Sequence, residues 1–219
     1  MIISESKRFV FIHNPKCAGT SVRMALMRFD TTGNFFWNQD RLNSLPFDKA
    51  HIPLYQWRSM YPNYFQLLEE FLTFIFVRHP YDRAVSGFNE VHNKIVPTGE
   101  PGEDDAEYRK TLNEFISKLD RARMRKEMIR YRHFLRQTDM VYLGHKCMVD
   151  VIMKLEEFPE CLDQLAVFLP DIAKVIGHGK KRNVKPLNNP HSSYLTRESI
   201  EVINEFYKDD FDLFGYTRL

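Results

Sequence analysis

The feature that most constrains the fold is a strand, a short loop and a helix start that follow one another within residues 8–22. Phe9–Ile12 is a continuous apolar run, which predicts a buried strand. Pro15 ends the run, because proline cannot donate a hydrogen bond to a β ladder. After a loop of small residues, Thr20–Ser21 are predicted to cap a helix. This order presents backbone N–H groups to an anion, and Lys16 adds a positive charge to the same hollow.

The position of the lysine separates this loop from the Walker phosphate-binding loop. There the lysine follows the second glycine and stands directly before Ser or Thr, whereas here Lys16 precedes Gly19. The order instead resembles the 5′-phosphosulfate loop of sulfotransferases that use 3′-phosphoadenosine 5′-phosphosulfate (PAPS). That resemblance implies a nucleotide-binding segment composed of Pro15, Lys16, Cys17, Ala18, Gly19, Thr20 and Ser21. Ala18 departs from the family pattern, in which a second glycine is frequent. An exposed lysine on an ordinary turn remains the alternative for this stretch alone.

A second block begins with Leu72–Val77, a continuous apolar run typical of a central parallel strand. Pro80 follows closely and is well placed as the first residue of a helix. The block resembles the 3′-phosphate-binding segment of the same sulfotransferases, which implies that Arg78 and Ser86 hold the 3′-phosphate. Arginine offers a planar fork of donors suited to phosphate, and open α/β sheets bind ligands at the carboxyl ends of strands. An ion pair of Arg78 with Asp82, and close helix packing at Ser86, are the alternatives.

The two blocks also bear on a rival class, the small-molecule P-loop kinases. Such a kinase usually carries an aspartate at the end of a strand like this to hold Mg²⁺. This strand is followed by arginine, and the first loop lacks the Walker spacing. Both blocks therefore disfavour phosphoryl transfer from ATP–Mg²⁺.

Catalytic roles follow from the resemblance for two residues. Lys16 would neutralise charge on the leaving phosphate oxygen. His51 lies between the two blocks, where several carbohydrate sulfotransferases place a catalytic histidine, and histidine titrates near neutral pH as a general base must. A structural histidine remains the alternative for His51.

The remaining chain contributes weaker signals. The family resemblance implies a loop that closes over the nucleotide at residues 177–190, with Lys181, Arg182 and Asn183 as candidates for its phosphate or adenine, although a surface loop is equally compatible. Residues 121–136 predict a strongly basic helix, which is either an anionic-acceptor surface or a solvated face. The other predicted elements are helices at 62–71, 80–93 and 107–119, a loop at 94–107, a strand at 148–155, a helix carrying Phe158, Leu162, Leu165 and Leu169, and a last helix capped by Thr196.

Length and composition bound the class. We expect a single α/β sulfotransferase domain over residues 1–219, a P-loop-like parallel sheet flanked by helices with the nucleotide at the carboxyl ends of its strands. The formal net charge of +2 gives no argument for nucleic acid. The three cysteines lack metal-ligand spacing and predict reduced thiols in a cytoplasmic protein. No run has the length of a transmembrane helix, and no metal is expected.

The predicted reaction is transfer of a sulfuryl group from PAPS to a hydroxyl or amine of an acceptor, a saccharide or glycoconjugate, leaving adenosine 3′,5′-bisphosphate. The acceptor's identity and the oligomeric state stay open. Two alternatives remain. A catalytically inactive nucleotide-binding module would bind adenosine bisphosphate without turnover, and a small-molecule kinase would bind ATP with Mg²⁺.

Overall fold

The computed structural model describes residues 1–37, 39–42, 45–92, 103–120, 131–179 and 191–219. These residues form two compact units. The first takes its described residues from Met1–Arg78 and Leu135–Val184, and the second from His79–Phe134 and Lys185–Leu219. The helices and strands in chain order are β1 (Ile2–Ser4), β2 (Phe9–Ile12), α1 (Gly19–Leu26), β3 (Gln39–Leu42), β4 (Leu45–Asp48), α2 (Leu54–Met60), α3 (Pro62–Glu70), β5 (Leu72–Val77), α4 (Pro80–His92), α5 (Glu103–Ile116), β6 (Tyr142–Leu143), β7 (Lys146–Cys147), β8 (Val151–Lys154), α6 (Leu162–Ala166), α7 (Pro170–Gly177), α8 (Arg197–Phe206) and α9 (Lys208–Phe214).

The first unit is built on a four-stranded sheet in the order β1-β2-β5-β8. β2, β5 and β8 are parallel, and β1 runs antiparallel to β2 at the edge. The residues of β2 are all buried, and so is β5 after its first residue. Helices α1, α6 and α7 pack against this sheet through a shared apolar cluster that includes Phe11, Phe74, Leu165 and Ile176. The predicted mixed α/β class with a parallel-rich sheet flanked by helices is therefore confirmed, while the single-domain boundary at 1–219 stays a prediction.

The second unit is helical where it is described. Helix α4 packs with α5 and α8 around one apolar cluster. Tyr207, between α8 and α9, closes this cluster by donating from its hydroxyl to the Phe134 carbonyl at 2.9 Å. Burial raises the pKa of that hydroxyl, because ionisation there would leave a charge inside the cluster.

The bounds of several predicted elements are confirmed, and each success has a local cause. Strands β2 and β5 occupy the predicted residues, because continuous apolar runs of this length are buried on both faces. Helix α4 begins at Pro80 as predicted. Thr196 caps α8, since its side chain accepts the N–H of Ser199.

Other bounds were predicted wrongly. The strand expected at 148–155 covers only Val151–Lys154, because Asp150 instead directs a carboxylate oxygen to the Thr73 N–H at 2.7 Å. The helix expected to carry Phe158, Leu162, Leu165 and Leu169 covers only Leu162–Ala166, and a separate helix begins at Pro170. Prolines at 159 and 170 explain the break, since proline disfavours a helical conformation of the residue before it.

Helix α5 covers Glu103–Ile116 rather than 107–119, so residues 103–107 of the loop predicted at 94–107 are helical. Most of the predicted basic helix lies outside the described residues, and its described end forms a 3₁₀ turn at Arg132–Phe134. In the part of the chain that the structure describes, no helix is both long and apolar enough to cross a membrane.

Candidate active site

The site is built where two parallel strands end side by side. Because β2 and β5 are paired neighbours with Ile12 opposite Ile75, their carboxyl ends meet at one edge of the sheet. The loop after β2 carries Lys16, and Arg78 directly follows β5. The topology of the first unit thus places the lysine loop and the arginine together, as the sequence predicted.

The lysine loop has an unusual backbone. Lys16 and Ala18 both adopt the left-handed conformation, with φ of 63° and 55°, which costs about 1–2 kcal/mol for a residue with a side chain. Such strain persists where surrounding structure holds it, and it is concentrated at functional sites. The glycine that the family often carries at position 18 would adopt this conformation without the penalty.

The capping prediction for helix α1 is wrong. Ala18, not Thr20 or Ser21, is the residue before the helix, and no side chain caps it. The backbone bond from the Val22 N–H to the Ala18 carbonyl, at 3.2 Å, closes the first turn. The N–H groups ahead of Val22 precede the first hydrogen bond of the helix, and the positive end of the helix dipole at this N-terminus favours an anion.

Gly19 is required by a close approach rather than by its φ angle. A Cβ at position 19 would lie 1.9 Å from Cδ2 of His13 and 2.1 Å from its Nε2. His13 is 3% exposed, so its ring cannot swing away into solvent. The loop and the end of β2 therefore pack directly on each other.

Arg78 touches the lysine loop. Its Nη1 donates to the Lys16 carbonyl at 3.4 Å, which holds the guanidinium beside the residue whose ammonium is proposed to act. Its backbone is held by Gln137, whose side-chain Oε1 accepts the Arg78 N–H and whose Nε2 donates to the Arg78 carbonyl, both at 2.8 Å. The glutamine thus pairs with Arg78 as a neighbouring strand would.

Gln137 is the residue that the sequence analysis missed. It is fully buried, and its Oε1 also accepts from Asn14 Nδ2 at 3.0 Å and from Cys17 Sγ at 3.4 Å. Asn14 Nδ2 in turn donates to the Phe76 carbonyl at 3.0 Å. One side chain therefore joins the lysine loop after β2 to the segment that follows β5. No sequence pattern around Gln137 carries this signal, because the role depends on contacts distant in the chain.

His51 reaches the same edge of the sheet. It ends a 3₁₀ turn, Lys49–His51, that Asp48 caps by accepting the Ala50 N–H at 2.9 Å. Its Nδ1 lies 3.3 Å from the His13 carbonyl oxygen, and the two imidazole centroids are 4.5 Å apart. A carbonyl oxygen can only accept, so this contact requires the proton on Nδ1 and leaves a lone pair on Nε2.

The other predicted site residues are placed less fully. Ser86 is half-buried in the second turn of α4, which belongs to the second unit. Lys181, Arg182 and Asn183 lie outside the described residues. Among the side chains that the structure describes, no group of three or more His, Cys, Asp or Glu residues could hold a metal ion.

Comparison with known proteins gives one match. A family model described as the sulfotransferase family matches residues 1–217, nearly the whole chain. Searches of curated proteins and of solved structures found no significant match.

Proposed function

Because the chain belongs to the sulfotransferase family, whose reaction is sulfuryl transfer, we propose that it uses PAPS as donor and a hydroxyl or amine of a saccharide as acceptor. The observation that carries this proposal is the contact between Arg78 and the lysine loop at the ends of two parallel strands. This arrangement brings the Arg78 guanidinium to the backbone of the loop that carries Lys16 and leads into α1, which suits a nucleotide with several phosphate charges.

The proposed chemistry is a direct displacement at sulfur. The acceptor oxygen bonds to sulfur while the bond between sulfur and the bridging phosphate oxygen breaks, and adenosine 3′,5′-bisphosphate leaves. Lys16 neutralises the charge that develops on that phosphate oxygen, and the first N–H groups of α1 hold the 5′-phosphate. The protein's other contribution is positioning, as in phosphoryl transfer.

His51 is proposed as the general base. A neutral hydroxyl is a weak nucleophile, so its proton must be taken as the new bond forms. Nε2 of His51 receives that proton in this scheme, because Nδ1 is engaged with the His13 carbonyl. The carbonyl contact also favours the resulting imidazolium, since Nδ1–H becomes a stronger donor when the ring is charged.

The remaining assignments rest on the family resemblance. We propose that Arg78 and Ser86 recognise the 3′-phosphate, and that Lys181, Arg182 and Asn183 contribute to the phosphate or adenine. All three cysteines are free thiols, which supports a cytoplasmic setting for the reaction. The inactive nucleotide-binding module is the second candidate, and the retained lysine and histidine argue against it.

The proposal is tested by incubating the protein with PAPS and a panel of acceptors and measuring release of adenosine 3′,5′-bisphosphate. We expect PAPS-dependent turnover without Mg²⁺, and Lys16→Ala should lower kcat about 100-fold because one charge-stabilising group is lost. Lys7→Ala, which removes an exposed lysine from the opposite end of β2, is the control and should leave kcat unchanged.

Three results would count against the proposal. Transfer from ATP–Mg²⁺ would indicate a kinase. Binding of adenosine bisphosphate without turnover on any acceptor would indicate the inactive module. An unchanged kcat with a raised KM for PAPS in Lys16→Ala would make the lysine a binding residue only.

A further inference from the structure

Trp37 and the candidate base, His51, share His13 as a neighbour, and the indole is held by two contacts. Its ring is parallel to that of His13, with an angle of 8° between the planes and 5.9 Å between centroids. The Arg23 guanidinium lies 4.6 Å from the centroid of the same tryptophan ring. The ring is thus fixed by an aromatic contact and by a cation–π contact.

Both supporting groups are buried. His13 is 3% exposed and Arg23 is 2% exposed. The guanidinium is itself fixed, since it donates to the Asn34 side-chain oxygen at 2.5 Å and lies 3.8 Å from an Asp30 carboxylate oxygen. These two buried and fixed groups hold the Trp37 ring in one orientation without any ligand.

Trp37 is only partly covered by these groups. His13 packs on Gly19, and Arg23 lies four residues later, so both groups lie near the same side of α1. Trp37 contacts both of them, yet 42% of its surface is exposed. Part of the indole therefore rests on buried groups while another part is open to solvent.

A shared neighbour connects Trp37 to the candidate base. His13 contacts Trp37 through its ring, and it contacts His51 through its ring and its carbonyl group. The same buried histidine therefore sets the position of the exposed indole and of the candidate base. An acceptor that presents a hydroxyl to His51 has an aromatic surface within reach.

We propose that the exposed part of the Trp37 indole is the stacking surface for a pyranose ring of the acceptor, a substrate class that rests on the proposed function above. One face of a pyranose ring consists of C–H groups, while its hydroxyls project from the edge. The C–H face packs on the electron-rich face of an indole, and the edge stays free for hydrogen bonds and for reaction. An alkyl chain would instead need an enclosed apolar pocket, which a single open ring does not provide.

The test combines kinetics with the tryptophan fluorescence of the whole protein. The acceptor class is first identified by turnover with PAPS on neutral and acidic disaccharides, 4-nitrophenol and decanol. We expect a disaccharide to be the acceptor and Trp37→Ala to raise its KM at least tenfold while the KM for PAPS changes less than twofold. Trp37→Phe keeps an aromatic face and should restore the acceptor KM to within about threefold of native.

Fluorescence supplies a readout independent of catalysis. The chain has two tryptophans, and the other, Trp57, is fully buried. The disaccharide, added in the presence of adenosine 3′,5′-bisphosphate, should therefore change the emission of the native protein but not that of Trp37→Phe. Phe168→Ala, which removes another exposed aromatic ring of the first unit, is the control and should leave both the KM and the emission response as in the native protein.

The outcomes separate this inference from the function it rests on. Disaccharide turnover with an unchanged KM in Trp37→Ala would overturn the stacking role and leave the sulfotransferase activity intact. Turnover on 4-nitrophenol or decanol alone would overturn the saccharide class. No turnover on any acceptor, with adenosine bisphosphate still bound, would overturn both proposals.

Discussion

A single hydrogen bond selects the tautomer of the neutral His51 imidazole. The His13 carbonyl accepts from Nδ1, so the proton of the neutral ring is on that nitrogen, and the lone pair that the proposed base needs is on Nε2. The turn that carries His51 is itself capped by Asp48. The cap joins the Asp48 side chain to the Ala50 N–H and does not involve the His51 ring. The imidazole can therefore be removed without removing the turn.

This separation allows a clean test of the base at the level of one residue. His51→Ala should abolish sulfuryl transfer, while affinity for adenosine 3′,5′-bisphosphate changes by less than about 1 kcal/mol, because the ring does not belong to the phosphate-binding loop. Titration calorimetry measures the affinity for the nucleotide, and a turnover assay measures the rate of sulfuryl transfer. In the native enzyme, the pH–rate profile should show one essential base on its acidic limb.

His145→Ala serves as the control, since that residue is exposed between β6 and β7 and should affect neither turnover nor nucleotide affinity. Turnover near the native rate in His51→Ala would remove this residue from the mechanism. If His51→Ala lost both nucleotide affinity and turnover, the histidine would instead support the fold of the lysine loop.

At the scale of elements, Gln137 holds together segments that the chain keeps far apart. Its amide group fixes both backbone atoms of Arg78 at the end of β5 and contacts Asn14 and Cys17 after β2. A buried polar group that loses its partner costs about 1–3 kcal/mol. The relative position of the two blocks therefore depends on this one side chain.

We expect Gln137→Met, which keeps the size of the side chain but not its hydrogen bonds, to lower stability by about 1–3 kcal/mol. The variant should also weaken binding of adenosine 3′,5′-bisphosphate at least tenfold, because Arg78 and the lysine loop both lose their contact with Gln137. Chemical denaturation and calorimetry measure the two effects.

Thr73→Val is the matched control for this variant. Thr73 is fully buried near the amino end of β5, where its hydroxyl donates to a carboxylate oxygen of Asp150 at 2.8 Å. It should lower stability comparably but leave nucleotide affinity intact. If both variants weaken the nucleotide to the same extent, the effect of Gln137 is on folding and not on positioning.

These elements also show why sequence analysis reached only part of the site. Strands β2 and β5 and the residues that follow them were predictable, because a buried strand leaves a continuous local apolar pattern. The three-residue β1 and the contacts of Gln137 leave no such pattern, since they depend on pairing across the fold. The mistaken cap at Thr20–Ser21 has the same origin: residue preference pointed to a hydroxyl, while His13 and the strained loop set the true start of α1.

At the scale of the whole molecule, each unit buries groups that must stay protonated. In the first unit, burial chiefly, with Glu157 nearby, raises the pKa of the Cys161 thiol from 9.0 to about 12. In the second unit, burial raises the pKa of the Tyr108 hydroxyl from 10.0 to about 12. Folding therefore favours the neutral form of both groups.

The sign of the pH dependence follows from these directions. Below pH 9 the Cys161 thiol is protonated in the folded and the unfolded chain, so its contribution to stability is complete. Between pH 9 and 12 the thiol ionises first in the unfolded chain, which lowers the free energy of unfolding. Tyr108 adds the same effect between pH 10 and 12.

We therefore expect the thermal midpoint, followed by circular dichroism, to be steady from pH 7.5 to 8.5 and to fall progressively above pH 9. Cys161→Ala should start from a lower midpoint, because a buried side chain is shortened, but should lose less between pH 9 and 10, where the thiol of the unfolded chain ionises more than the tyrosine does. Cys147→Ala, which removes an exposed thiol, should follow the native curve throughout. If the Cys161→Ala curve fell in parallel with the native one over that interval, the alkaline loss of stability would have to arise outside Cys161.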